Sequence, residues 1–485
     1  MGAGIAQLAA GARIPTLLHD PDEVALQRGL SAARKRLDDF AGSLDAAHDL
    51  EDLAGCDLVI EAAPEDFAVK CDLFTRLTTL VAPHAVLATN TSSLSVTELA
   101  ATIEGPERLV GLHFFNPAPV MKLVEVVAGA LSSPAALAMA RATGEAMGKR
   151  VVDVLDGPGF LVNRCNRPFS LEALRVVQEN LATVEQVDRI VRMGGGFRMG
   201  PFELMDLVGL DVGFAVQRSF WTQSYGEPRW RPSPLMARMV AAGRLGRKAG
   251  KGWYAYPAGP PPDPPPGPIA DADGLVVIAG QGTLAGEIAG EAEAAGWDVL
   301  EPVDAAGAVP DLILDCGATD EDGPLQGAPQ AILCDSASLA ALDPGGSSVG
   351  FFAVAPLGGC VELTRGAGSS PLAVERTEAF FRSLGRHVEW VGDAPGLVLG
   401  RILAQLVNEA CFALGEGLGS AEDIDAGMVL GLNHPRGPLE WADLLDPGLV
   451  LATISALQEE YAEERYRPAP ALVRAVREER ELRAL

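Results

Sequence analysis

Gly111-Leu-His113-Phe-Phe-Asn116-Pro-Ala-Pro-Val-Met-Lys-Leu-Val-Glu125-Val-Val127 is the stretch on which the reading of this chain turns. Two apolar, strand-like runs flank a proline-marked bend, and each carries one ionisable residue, His113 and Glu125. A charge taken into an apolar interior without a partner costs on the order of several kcal/mol. The economical arrangement folds the runs together so that the histidine and the glutamate partner each other. A carboxylate that fixes one imidazole tautomer and stabilises the protonated ring makes that ring a better general base. Alone, the pair reads equally well as a core histidine beside a structural salt bridge, so its neighbours in sequence must decide.

Upstream, Cys56-Asp-Leu-Val-Ile-Glu61-Ala-Ala-Pro-Glu65 is a buried-type strand ending in an acid, and a helix is predicted over 67–79. Ala85-Val-Leu-Ala-Thr-Asn90-Thr-Ser92-Ser-Leu94 is a strand entering a polar turn, and Leu109–His113 is a further strand. Strands alternating with helices predict a parallel, doubly wound sheet that binds ligands at the carboxyl ends of its strands. Asp20, Glu65, Ser92 and His113 all fall at such ends. At the N-terminus, Met1-Gly2-Ala-Gly4 reads as the close of a glycine-rich turn entering a helix, and Thr16-Leu-Leu-His-Asp20 as a strand ending in an acid. A dinucleotide fold needs strand, G-x-G-x-x-G, helix, second strand and an acid for the ribose; everything from the last glycine onward is present, which predicts a natural start about a dozen residues upstream.

At 485 residues the chain needs several cores. A net charge of −27 excludes sequence-independent affinity for nucleic acid or an anionic membrane. The seven cysteines are scattered without Cys-x-x-Cys or metal-ligand spacing, which predicts a reducing compartment and no metal. No apolar run reaches the roughly 18 residues of a membrane span, and no signal-peptide pattern opens the chain. A soluble, cytoplasmic protein is expected. From Asp156-Gly-Pro-Gly-Phe-Leu-Val-Asn163-Arg164 onward the pattern becomes helical, over 160–182, 184–193, 201–221 and 232–243. It closes with Leu245-Gly-Arg-Lys248-Ala-Gly-Lys-Gly-Trp-Tyr-Ala-Tyr256, and Pro257 to Pro268 reads as an extended linker.

These motifs, with Gly200-Pro-Phe-Glu-Leu-Met-Asp206, resemble the 3-hydroxyacyl-CoA dehydrogenase family continuously over residues 1–256. The resemblance implies a Rossmann-type NAD domain followed by an all-α domain, and oxidation of L-3-hydroxyacyl-CoA to 3-ketoacyl-CoA with NAD. It implies His113 as base, Glu125 as its orienting partner, and Ser92 and Asn116 as catalytic groups holding the substrate oxygen and the cofactor. Ser92 and Asn163 then contact substrate, while Gly2, Asp20, Glu65, Lys70 and Lys248 contact NAD. Asp20, being acidic, favours NAD over NADP. On the bare residues, Lys70 and Lys248 read as solvated surface charges. Arg34-Lys35-Arg36 is the candidate basic patch for the CoA phosphates.

The second half repeats the first. Ala394-Pro-Gly396-Leu-Val-Leu-Gly400-Arg401 matches Gly157-Pro-Gly159-Phe-Leu-Val-Asn163-Arg164, and the same spacing pairs Glu422–Asp425 with Glu185–Asp188 and Gly437–Glu440 with Gly200–Glu203. Leu275-Val-Val-Ile-Ala-Gly280-Gln-Gly282-Thr-Leu-Ala285 is a strand with G-x-G-x-x-A. In this copy Ala337 is aligned with Ser92, Phe352 with His113, Ala355 with Asn116 and Gly400 with Asn163, while Glu362 keeps the acid. A phenylalanine cannot act as a base, so the second copy is predicted inactive, and Asn408, Glu409 and His434 are expected to be structural. The expected order is a Rossmann-type NAD domain over 1–154, a helical domain over 155–256, a linker over 257–270, a degenerate Rossmann-like domain over 271–392 and a second helical domain over 393–485. The expected substrates are short-chain acyl-CoA esters such as 3-hydroxybutyryl-CoA or 3-hydroxyadipyl-CoA, with no nucleic-acid or membrane partner and room for a homodimer. The rival readings are a dehydrogenase of a free hydroxy acid such as L-gulonate, and a non-catalytic CoA-binding or scaffolding homologue.

Overall fold

The computed structural model describes residues 1–37, 43–269, 272, 274–305, 307–317 and 328–484. They form two compact units, Met1–Cys165 with Ala413–Asn433, and Asn166–Phe412 with His434–Leu485. Among the described residues no helix is long and apolar enough to cross a membrane.

In the first unit, α1 (Gly2–Gly11) leads into β1 (Thr16–His19), followed by α2 (Glu23–Arg34) and β2 (Leu44–Ala47). Asp22 starts α2 by accepting the N–H groups of Val24 and Ala25. The chain continues through β3 (Leu58–Glu61), α3 (Phe67–Leu80), β4 (Val86–Thr89), α4 (Val96–Ala100), β5 (Leu109–Phe114), β6 (Leu123–Ala128), α5 (Pro134–Ala146), β7 (Arg150–Leu155) and α6 (Val162–Cys165). The sheet order is β3-β4-β5-β6-β7, with β1 and β2 paired separately. Every pairing is parallel except β5 with β6, whose antiparallel register sets His113 opposite Glu125. β4 and β5 are buried along their whole length, as strands covered on both faces must be. Val86, Ala88, Val110, Leu112, Val124 and Val126 pack with Ile5 and Ala9 of α1 and with Ala136 and Ala140 of α5. The strand β2 was not anticipated from the sequence.

The helical region departs from expectation at two breaks. The helix predicted over 160–182 is α6 followed by a second helix, Arg167–Gln178, with a proline in its first turn. Pro168 has no N–H to continue a helix but suits the start of one. The helix predicted over 201–221 splits into Pro201–Val208 and Leu210–Gln223 around Gly209, at φ +101°. A β-carbon at Gly209 would lie 3.1 Å from both Asp211 Oδ1 and Lys248 Nζ, so the turn is closed by a residue without one. The Gly200-Pro-Phe-Glu motif is a capping device, because Asp188 accepts the N–H groups of Phe202 and Glu203 at 2.8 and 2.9 Å. Asp206 likewise accepts those of Trp253 and Tyr254 at 2.9 and 3.0 Å, which ties down the Lys248–Tyr256 segment.

The second unit holds β8 (Leu275–Ala279), β9 (Asp298–Leu300), β10 (Leu312–Asp315), β11 (Gln330–Leu333), β12 (Val349–Phe352), β13 (Cys360–Arg365) and β14 (His387–Trp390), in sheet order β14-β13-β12-β11-β10-β8-β9. Here β8 joins β10 to β9, whereas the β1–β2 pair of the first unit lies apart from its five-stranded sheet. The single antiparallel pair recurs as β12 with β13, and sets Phe352 opposite Glu362. The two halves also exchange helices. Ala421–Leu432, encoded in the second half, belongs to the first unit and packs on α6, β6 and β7. Its first-half counterpart, Val184–Arg189 with the following π-helical turn Ile190–Gly194, belongs to the second unit, where that turn packs on β13.

Candidate active site

The antiparallel register of β5 and β6 brings His113 Nδ1 to 2.6 Å from Glu125 Oε2. His113 is 5% exposed and Glu125 fully buried. Glu125 Oε1 accepts the N–H groups of Leu161 and Val162 at 3.1 and 2.9 Å, at the start of α6. With its acceptors so engaged, the carboxylate takes the hydrogen from Nδ1, and Nε2 is left as the ring nitrogen for proton transfer. The rings of Phe115 and Phe160 flank the imidazole at 4.7 and 5.7 Å between centroids. The charge distribution is that of a general base held in one tautomer inside an apolar frame.

Beside it lies a second polar cluster, at the ends of β3 and β4. Glu65 Oε1 accepts the Thr91 hydroxyl at 2.6 Å, the Ser92 and Ser93 N–H groups at 2.9 and 3.0 Å, and the Ser93 hydroxyl at 2.9 Å. Burial pushes the Glu65 carboxyl up, but Thr91, Lys70, Ser93 and Ser92 together hold it below the usual carboxylate range. Lys70 is no solvated surface charge. It is 1% exposed, with Nζ 2.6 Å from Glu61 Oε1 and 3.4 Å from Glu65 Oε2. Glu61 also accepts the Thr89 hydroxyl at 2.7 Å. Asn90 Oδ1 accepts the Phe114 N–H at 2.8 Å and so ties the turn that bears Ser92 to the strand that bears His113. Glu61 and Thr89 were missed in the sequence, because a strand that ends in an acid gives no sign that the acid is buried.

The remaining expected residues sit as follows. Asn116 is exposed on the β5–β6 bend, and Asn163 is half-buried on α6, three residues beyond Phe160. Gly2 opens α1, and a β-carbon there would meet Ala62 at the end of β3 only at 3.8 Å. Gly4 approaches Ala118 and Pro119 on the β5–β6 bend. Asp20, half-buried, directly follows β1. Lys248 lies in the second unit, exposed, and its ammonium pairs with Asp211 at 2.6 Å. Of the basic run at 34–36, Arg34 is committed to the Leu44 carbonyl and Asp45, while Lys35 and Arg36 are exposed.

The second copy keeps the frame and lacks the histidine. Glu362 accepts the Val398 and Leu399 N–H groups at 2.8 and 3.0 Å, as Glu125 accepts those of Leu161 and Val162, but it faces Phe352. Burial pushes this carboxyl up to about 8; the two amides oppose the rise and Glu389 adds to it. A β-carbon at Gly400 would stand 2.5 Å from the Phe352 ring, so losing the histidine and losing the asparagine of the first copy are coupled changes. The alignment of Ala337 with Ser92 is corrected by strand register. Thr89 stands opposite Gly111 and Ile332 opposite Gly350, and Ser95 and Ser338 each begin a helix. The counterpart of Ser92 is therefore Asp335, whose carboxyl burial raises to about 6, against hydrogen bonds from its own backbone and Ser336. Asn408 bridges the Arg467 carbonyl and the Ala469 N–H, and Glu409 pairs with Arg229 at 2.7 Å. His434 packs against Phe169 and Phe197, where burial lowers it to about 4. All three are structural.

Comparison with known proteins agrees with this architecture. The family model for the 3-hydroxyacyl-CoA dehydrogenase NAD-binding domain matches residues 1–157, and the model for the C-terminal domain matches twice, over 159–256 and 396–484. The chain is 35% identical over 487 aligned residues to a 3-hydroxyadipyl-CoA dehydrogenase of Escherichia coli K12, covering 97% of this chain and 94% of that protein. It is 39% identical to a probable 3-hydroxybutyryl-CoA dehydrogenase of Deinococcus radiodurans, covering 53% of this chain and 96% of that one. Among solved structures, a 3-hydroxybutyryl-CoA dehydrogenase from Escherichia coli K12 superposes with a TM-score of 0.83 at 34% identity, covering 99% of this chain and 97% of its own. With both domains matched, one of them twice, and a full-length relative at this identity, the chain belongs to the 3-hydroxyacyl-CoA dehydrogenase family of NAD-dependent oxidoreductases.

Proposed function

We propose that the first half oxidises short-chain L-3-hydroxyacyl-CoA esters, of the 3-hydroxybutyryl or 3-hydroxyadipyl class, to 3-ketoacyl-CoA, with His113 as base. The observation that carries this reading is the buried His113–Glu125 pair with its two-amide cradle. His113 Nε2 takes the hydroxyl proton, Glu125 stabilises the resulting imidazolium, and Ser92 and Asn116 orient the oxygen, with Asn163 on the substrate side. The residues present fit NAD. The first turn of α1 carries only Gly2, Ala3 and Gly4, next to the end of β3, and Asp20 and Glu65 follow β1 and β3. When bound there, NAD supplies the acceptor for the hydride. In this reading Glu65 and Lys70 shape the cofactor pocket, and the domains run 1–154, 155–256, 271–392 and 393–485 around a linker at 257–270. Asp335, Phe352 and Gly400 leave the second half without turnover. His113→Ala is expected to lower kcat by roughly 10²–10⁴ with NADH affinity unchanged. Activity within about threefold of the parent would refute the assignment of the base.

A further inference from the structure

We infer that the helix Ala421–Leu432, contributed by the half that lacks a catalytic histidine, positions the His113–Glu125 dyad of the other half through Gly427 and Gly431. The inference rests on the reading of His113 as base. Gly427 and Gly431 are four residues apart and share one face of the helix. A β-carbon at Gly427 would lie 2.9 Å from Val162 Cγ2. One at Gly431 would lie 3.1 Å from Leu123, 3.4 Å from Val162 and 3.6 Å from Phe115. Just before the helix, a β-carbon at Gly419 would lie 3.2 Å from Leu161.

These neighbours are the groups that hold the dyad. Leu161 and Val162 donate the two N–H groups that fix Glu125 Oε1. Leu123 lies two residues before Glu125 on β6 and shares its face, and the Phe115 ring packs on the imidazole. Val162 is β-branched and stiff about χ1, so a methyl group pressed on it displaces the backbone of α6 before it turns the side chain. Displacement of the Val162 N–H loosens Glu125, and Glu125 Oε2 is the atom that orients His113. The helix is anchored to this unit at its start, where Glu422 and Asp423 pair with Arg150 at 3.1 and 2.8 Å, and upstream, where Glu416 pairs with Arg164 at 2.7 Å. In the second unit Gly194 and Gly195 press on Leu399 in the same way. The brace is therefore a property of the fold, and on the first side it has a base to hold.

The test uses the full chain with Gly427→Ala, a change that favours the helix itself. The expected result is a kcat lowered by about tenfold or more and a displaced pH–rate profile, with KM for acetoacetyl-CoA and Kd for NADH within about twofold of the parent. Adding Val162→Ala removes the methyl that Gly427→Ala strikes, and recovers most of the lost kcat. An unchanged kcat and pH profile in soluble Gly427→Ala protein overturns the inference. So does a joint loss of kcat, substrate affinity and NADH affinity that Val162→Ala does not relieve. Should Gly427→Ala not fold, Gly431→Ala, whose added methyl meets Leu123 at 3.1 Å and Val162 at 3.4 Å, gives a smaller kcat loss with the same signature, and a soluble Gly431→Ala protein with unchanged kcat and pH profile overturns the inference. His113→Gln, assayed alongside, separates the two readings: activity retained there defeats the base, whereas activity lost there but kept in Gly427→Ala defeats only the brace.

Discussion

Glu362→Gln is expected to change sign in its effect on stability across the neutral range. The parent carboxyl stands at about 8 against an ordinary 4.5, with burial as the leading cause. A carboxyl raised on folding contributes stability that is fully present below 4.5 and is lost as pH rises through 8, because between those values the folded chain holds a proton the unfolded chain has released. The difference corresponds to an upper bound of about 5 kcal/mol for this fully buried group. Glutamine does not titrate, but the Val398 and Leu399 N–H groups each meet a different oxygen of Glu362, so in place the glutamine NH₂ replaces one of the two acceptors and faces a donor. Leaving one buried N–H unmatched costs about 1–3 kcal/mol at every pH. The variant is therefore about 0–2 kcal/mol less stable than the parent at pH 5, and more stable by about 2–4 kcal/mol at pH 9. Urea unfolding of both proteins, followed by tryptophan fluorescence from pH 5 to pH 9, measures the difference. Parallel curves, or a variant whose relative stability falls as pH rises, would show that Glu362 is not the buried, unpaired acid the geometry describes.

Two further perturbations bear on the first half. In Glu125→Gln the amide carbonyl must face the Leu161 and Val162 N–H groups, so the NH₂ must face His113 Nδ1 and put the ring hydrogen on Nε2. That wrong tautomer should cost roughly 10²–10⁴ in kcat for oxidation of L-3-hydroxybutyryl-CoA, and a kcat within about threefold of the parent would count against an orienting role. Lys70→Met leaves Glu61 buried without its cation and should lower unfolding stability by about 3–5 kcal/mol while weakening NADH binding; a loss under about 1 kcal/mol in urea unfolding would show the ion pair to be dispensable.

The fold was legible where a local rule sufficed. The apolar runs around His113 and Glu125 named their own pairing, and the proline-marked bend between them forced the antiparallel turn. The same arithmetic carried to Phe352 and Glu362, because the duplicated strands kept their register. Errors arose where a short element or a single backbone angle decides. Gly209 at positive φ and Pro168 cut helices that periodicity alone runs together, and β2 is a four-residue strand with little apolar signal. Lys70 defeated the composition argument, since a lysine reads as solvated unless the two acids that hold it are already placed in space. The exchange of helices between halves has no local signature at all. Gly427 and Gly431 are ordinary helix glycines until Val162 and Leu123 stand against them.

The asymmetry of the two copies follows from which groups the fold itself requires. The start of α6 and the start of the helix Leu399–Gly415 each present two backbone N–H donors to the interior, and each donor left unmatched costs about 1–3 kcal/mol. An acceptor must stand opposite them whether or not chemistry takes place there, so the second copy has Glu362 at the place of Glu125 although it has Phe352 at the place of His113. The histidine answers to no such demand. Once its place is taken by Phe352, the ring fills the space over Gly400, and a side chain at 400 is excluded by sterics. A single replacement of that ring by histidine would therefore restore a partner for Glu362 while leaving Gly400 and Asp335 in place of the groups that orient substrate. The helix Ala421–Leu432 of the second half stands against the amides and rings that hold His113, so the half that carries the histidine rests on packing supplied by the half that lacks it.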